Sequence, residues 1–173
     1  MILATDVQYG DTHACAACVL FDTWRSAAPL ARHTSILSPI AAYEPGKFYK
    51  RELPCLLKLL SDHRLQPSLI IVDGHVFLDG WSKPGLGKYL HEALGEEIAV
   101  IGVAKSAFKG IDPSCEILRG RSQQPLYVTS IGIPHEDAKA HISEMHGDFR
   151  IPALLKEVDA LARSGLAQHS TKL

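Results

Sequence analysis

Three carboxylates stand where their types and spacing allow chemistry. Asp73 closes the apolar run Ile70-Ile71-Val72 and is followed by Gly74-His75; Asp6 follows the apolar opening Met1-Ile2-Leu3-Ala4; Glu52 sits in a stretch with helical periodicity. Acids at the ends of buried strands occupy the place where open α/β sheets keep their ligands. Brought together, Asp6, Glu52 and Asp73 would be hard oxygen donors for a divalent cation such as Mg2+. Two such ions, roughly 3.5–4 Å apart, hydrolyse a phosphodiester by activating water and steadying the leaving oxygen. Lys105, at the end of Ile101-Gly102-Val103-Ala104, adds an ammonium to hold a phosphate or steady developing charge. Singly, each has a plainer role: an acid caps a turn or faces water, and a lysine ends a strand in solvent. The chemistry depends on their meeting.

The pattern along the chain supplies elements to bring them together. Strands are expected over residues 2–8, 13–21 and 30–37, with short connections that make an antiparallel meander. A helix follows over 47–63, its apolar face built from Leu53, Leu56, Leu57 and Leu60, with Pro54 expected to kink it or delay its start. The unbroken apolar run at 69–72 reads as a strand buried on both faces. A helix at 86–94 ended by Gly95 comes next, then a strand at 98–103 and a strand pair at 115–119 and 126–129. Helices at 136–145 and 153–164 finish residues 1–165, one domain, before a polar tail at 166–173. Antiparallel strands first and β-α-β units later imply an α/β mixed sheet flanked by helices. This order resembles that of ribonuclease-H-like nucleases.

Composition bounds the rest. The chain has 173 residues, 46% hydrophobic and 21% charged, enough to bury a core without staples. Its net charge of −1 gives no overall basic field, so a polyanion would need a local patch. Lys47, Lys50, Arg51, Lys83, Lys88, Lys105, Lys109, Arg119 and Arg121 are the candidates for it. No apolar run reaches the roughly 18 residues of a membrane span, and no leader pattern opens the chain, so a cytoplasmic location is expected. Cys15 and Cys18 match C-x-x-C within an apolar strand, where residues three apart point to opposite faces. They are therefore expected to be buried and unlinked rather than a redox or zinc pair.

Six stretches, in order, resemble the endonuclease V family of deaminated-base repair nucleases. They are Asp6-Val7-Gln8-Tyr9; Tyr43-Glu44-Pro45-Gly46 with Arg51-Glu52; Val72-Asp73-Gly74-His75; Ile101 to Ser106; Pro125-Leu126-Tyr127-Val128; and Arg150-Ile151-Pro152. The resemblance implies a ribonuclease-H-like fold and Mg2+-dependent (or Mn2+-dependent) hydrolysis near inosine in DNA or RNA, at the second phosphodiester 3′ to the lesion. It assigns Asp6, Glu52 and Asp73 to the metal, and Lys105 to the family's motif lysine. It makes Tyr43, on the loop with Pro45 and Gly46, the wedge that fills the gap of a displaced base, and an aromatic there can stack. Gly74, His75 and Ser106 belong to the same motifs and are expected to contact the strand. The partner implied is a strand with a deaminated base; no obligate protein partner is evident.

The sequence also departs from the family pattern. Val76 stands where glycine is usual and would fill part of a lesion pocket. The family's active-site histidine before the penultimate helix is missing from Ser130-Ile131-Gly132-Ile133, leaving His135 or Asp137 as catalytic substitutes. A second reading is therefore a nucleic-acid-binding relative that does not cleave or does not select lesions. Retaining Asp6, Glu52 and Asp73 favours the enzyme, because buried like charges are costly without a cation.

Overall fold

Residues 14–21 are apolar at every position, and the strand they form is buried along its whole length. It is β2 (Ala14–Phe21), flanked by β1 (Ile2–Tyr9) and β3 (Ala31–Leu37) in the antiparallel meander expected of short connections. This computed structural model describes residues 1–42, 44 and 47–170. Tyr43, Pro45 and Gly46, the expected wedge loop, and residues 171–173 of the expected tail lie outside the described residues.

After β3 come α1 (Tyr49–Asp62), β4 (Leu69–Asp73), α2 (Leu86–Ala93) and β5 (Ala99–Ala104). A 3-10 turn at Pro113–Cys115 leads to β6 (Glu116–Ile117) and β7 (Leu126–Ile131); α3 (His135–Glu144) and α4 (Ala153–Ser170) end the described chain. The sheet order is β3-β2-β1-β4-β5-β7-β6, with β1, β4 and β5 mutually parallel at its centre. β7 runs antiparallel to β5 and to β6. The result is the mixed α/β sheet flanked by helices that the element order implied.

Strand alternation divides the core in two. Leu3, Val7, Ile70, Val72 and Val100 face one way, with Leu56 and Leu59 of α1 and Leu90 of α2. Ala4, Ile71, Ile101 and Val103 face the other way, with Ile142 of α3 and Leu154, Val158 and Ala162 of α4. Cys18 lies in the first layer, while the Cys15 sulfur touches Gly165 of α4 in the second. The two thiols are free, buried and on opposite faces.

Three details differ from the sequence pattern. α1 runs through Pro54 without ending there, giving up the one bond that an N–H at position 54 would make to the Lys50 carbonyl. β6 keeps only two of the five residues expected of it. α4 does not stop at Gly165 but continues to Ser170. Among the described residues no helix is long and apolar enough to cross a membrane.

Candidate active site

The register of β1 on β4 pairs Thr5 with Val72, so the next residues, Asp6 and Asp73, stand side by side at the strand ends. Alternation then aims both acids toward the α4 face, because Ala4 and Ile71, two residues earlier on each strand, pack into that layer. Lys105 follows Val103 on β5 by the same step of two, and its Nζ lies 2.6 Å from Asp73 Oδ2. The close passage of β5 beneath the end of β4 rests on glycine. Gly74 turns the chain after Asp73 at φ +144, and a Cβ on Gly102 would stand 2.6 Å from the Gly74 carbonyl oxygen.

Glu52 comes from the opposite layer. It occupies the first turn of α1 on the stripe that also buries Cys55, Leu56, Leu59 and Leu60 against the sheet. Asp6 and Glu52 are each only 6% exposed. Burial first, then repulsion from Asp73 and Asp6, pushes the Glu52 carboxyl well above its ordinary range. Asp6 is pushed up to about 6, again chiefly by burial, with Asp73 and Asp159 adding repulsion against a hydrogen bond from Gln8. Burial and mutual repulsion both disfavour the charged form of these two acids, and a bound cation would offset both.

Asp159, on α4, is the acid the sequence reading missed. Gln8 Nε2 donates to Asp6 Oδ2 at 3.1 Å and reaches Asp159 Oδ1 at 3.5 Å, and Lys105 Nζ lies 4.0 Å from Asp159. A hydrogen bond from Arg163 leads the influences that hold Asp159 below its ordinary range, so it stays ionised. A signal was available: Leu154, Val158 and Ala162 recur on the buried stripe of α4, and Asp159 borders it.

His135 and Asp137 are not brought to this cluster. Because β7 is antiparallel to β5, its end at Ile131 pairs with Val100, at the start of β5. The first turn of α3 therefore begins at the far end of the sheet from Asp73. There the His135 ring lies 4.8 Å from that of Trp81, and Asp137 is exposed.

Together Asp6, Glu52, Asp73, Lys105 and Asp159 line an open cleft of about 480 Å³, with Gly74, His75 and Ser106 on its rim. His75 presents an edge to Phe108, and burial lowers its pKa, which keeps the imidazole neutral. Among the described residues no three His, Cys, Asp or Glu side chains form a ready ligand set for a metal ion. Asp6 and Asp73 share one face of the sheet's end, and Glu52 reaches it from the other. The donors nonetheless fit a hard divalent cation: they are carboxylates, Asp6 and Glu52 buried and Asp73 half-buried, and they repel one another, with the Lys105 ammonium beside Asp73. Val76 is fully buried, its methyl 2.6 Å from where a Cβ on Gly87 would stand.

The expected basic track is only partly assembled. Lys47 and Lys50 pair with Glu44, and Lys88 pairs with Glu92. Arg119 is buried and donates to the backbone carbonyls of Ser143, Met145, Gly147, Phe149 and Arg150.

Residues 1–133 match the family model of endonuclease V, a span that carries Asp6, Glu52, Asp73 and Lys105 and stops short of Asp159. The chain is 29% identical over 181 aligned positions to endonuclease V of Geotalea uraniireducens strain Rf4, covering 93% of this chain and 76% of that protein. Among solved structures, endonuclease V from Streptomyces avermitilis superposes with a TM-score of 0.76 at 24% identity, covering 98% of this chain and 82% of that one. Endonuclease V of Ciona intestinalis, in complex with a 24mer DNA containing an inosine followed by a ribo-adenosine, gives a TM-score of 0.78 at 18% identity, covering 96% and 86%. At such identities the superpositions establish a common fold, a mixed seven-stranded sheet with flanking helices.

Proposed function

The chain belongs to the endonuclease V family, and from that premise we propose that it hydrolyses a phosphodiester 3′ to a deaminated base, inosine above all, in a DNA or RNA strand, with Mg2+ or Mn2+ as cofactor. The observation that carries this reading is the meeting of Asp6, Glu52 and Asp73, far apart in sequence, at one end of the sheet beside Lys105 and Asp159. An uncharged ligand gains nothing from such a cluster, whereas a phosphate bridged to it by cations does.

Asp6 and Asp73 would hold the ion from the α4 face, with Glu52 approaching across the strand ends and Asp159 completing the charge. When bound, the divalent ion supplies the field that makes water nucleophilic at neutral pH and steadies the leaving oxygen. Gln8 bridges Asp6 and Asp159 and fixes the direction of both carboxylates. Lys105 gives its ammonium to Asp73 and is kept charged: burial opposes the charge, but the bond to Asp73 and the neighbouring acids outweigh it. There it would neutralise a non-bridging phosphate oxygen. Gly74, His75 and Ser106 on the rim, and Tyr43 with Pro45 and Gly46 on their loop, would then contact the strand.

A gel assay on strands carrying inosine, uracil or no lesion, with and without Mg2+, tests this. The expected outcome is Mg2+-dependent cutting of the inosine strand by the parent and none by Asp73→Asn, with both proteins melting cooperatively. Equal cutting by Asp73→Asn refutes the assignment. Binding of the inosine strand without any cutting favours the non-cleaving relative instead.

A further inference from the structure

A hollow of about 740 Å³ lies beside the acidic cleft, between α4, the turn before β7 and the loop that precedes α4. It shares Lys105 and Asp159 with the cleft, so a chain leaving one enters the other. We propose that this hollow seats one nucleotide of the substrate strand next to the cleaved linkage, its base laid against Phe149 and its phosphate between Arg121 and Lys156. The assignment rests on the nuclease reading above and adds a strand-positioning subsite to it.

Four observations carry it. The volume falls within the roughly 300–1,000 Å³ typical of small-molecule sites. The wall is mixed in the way a nucleotide needs, with Phe149, Ile151 and Leu155 apolar and Arg121 and Lys156 cationic. Phe149 is 77% exposed, and an accessible ring is a platform on which any base can stack. Neither Arg121 nor Lys156 forms an ion pair among the described residues, whereas Lys47, Lys50 and Lys88 all do. The wall also contains Asp148 and Asp159, and the latter already takes hydrogen bonds from Arg163.

The loop bearing Phe149 is held in place before any ligand arrives. Arg119 spends its guanidinium on carbonyls of that loop, including those of Phe149 and Arg150. Arg150 in turn donates to the carbonyls of Lys105 and Pro125, tying the loop to the strand end beside the cleft. A platform fixed in this way loses little freedom on binding.

The test measures binding of a short labelled single strand carrying one inosine, in Ca2+, and its cleavage in Mg2+. Phe149→Ala should weaken binding roughly tenfold or more, and Phe149→Trp should not, since stacking on the ring is what is lost. An abasic site scanned along the strand should cost the parent the same factor at one position near the cut and cost Phe149→Ala nothing further there. The double variant Arg121→Ala, Lys156→Ala should flatten the salt dependence by roughly 0.7 in log–log slope per phosphate contact removed. Binding by Phe149→Ala within roughly twofold of the parent overturns the proposal, as does a Phe149→Ala loss that persists unchanged at every abasic position. If the parent binds strands without cutting them, the nuclease reading fails while these binding arms still judge the hollow. If it binds no strand at all, both fall.

Discussion

Asp6 shows how a residue's surroundings write a measurable property. Its carboxyl moves from 3.8 to about 6 on folding, chiefly through burial. The folded chain therefore binds a proton more tightly than the unfolded chain, and stability follows the proton. The contribution is complete below the unfolded value and is lost as the pH rises through about 6, a swing of about 3 kcal/mol. Glu52 acts in the same direction. Urea unfolding in EDTA at pH 5 and at pH 8 is expected to show the parent less stable at the higher pH, and Asp6→Asn to narrow that gap. A gap of undiminished size in Asp6→Asn would place the titration elsewhere. Asp6 and Asp73 were legible in the sequence because each carboxylate closes an apolar strand, and Glu52 through its helical stretch and the Arg51-Glu52 pair. Asp159 was legible only as a neighbour of the apolar stripe on α4, because nothing in a helical repeat states where the helix crosses a sheet. His135 and Asp137 lie near the missing histidine only in sequence. The antiparallel course of β7 carries them to the other end of the sheet.

Among the elements, strands were easier to read than ends of helices. Two-faced burial of β2 and β4 leaves continuous apolar runs, and the α1 stripe repeats at helical spacing. Gly165 misled for a physical reason. Glycine after an apolar repeat signals a helix stop, yet here it serves contact between layers: a Cβ would lie 2.6 Å from Cys15 Sγ on β2. α4 needs this close approach to set Asp159 over the strand ends. Gly165→Ala should therefore destabilise the parent by roughly 1–3 kcal/mol through overpacking. In a Cys15→Ala background the same change should be neutral or stabilise by up to about 1 kcal/mol through helix propensity. Thermal melts of the four proteins in this cycle measure it, and identical effects of Gly165→Ala in both backgrounds would show that the sulfur is not what glycine avoids.

The molecule as a whole has nearly balanced charge, net −1, so its affinity for a polyanion must be local. The layout supports that division of labour. Asp6 and Asp73 are carried to one end of the sheet by the parallel strands β1 and β4, and Glu52 and Asp159 are brought over that end by α1 and α4. Arg121 and Lys156, which form no ion pair among the described residues, stand beside them. The proposed hydrolysis depends on the acids acting together on a divalent ion. Calorimetric titration of Mn2+ into the parent, Asp6→Asn and Glu52→Gln reads that directly. Saturable binding by the parent is expected, with each variant weakened at least as much as by loss of an outer-shell partner, roughly 10–100-fold. Binding of Mn2+ with unchanged affinity by both variants, or none by the parent, would contradict it.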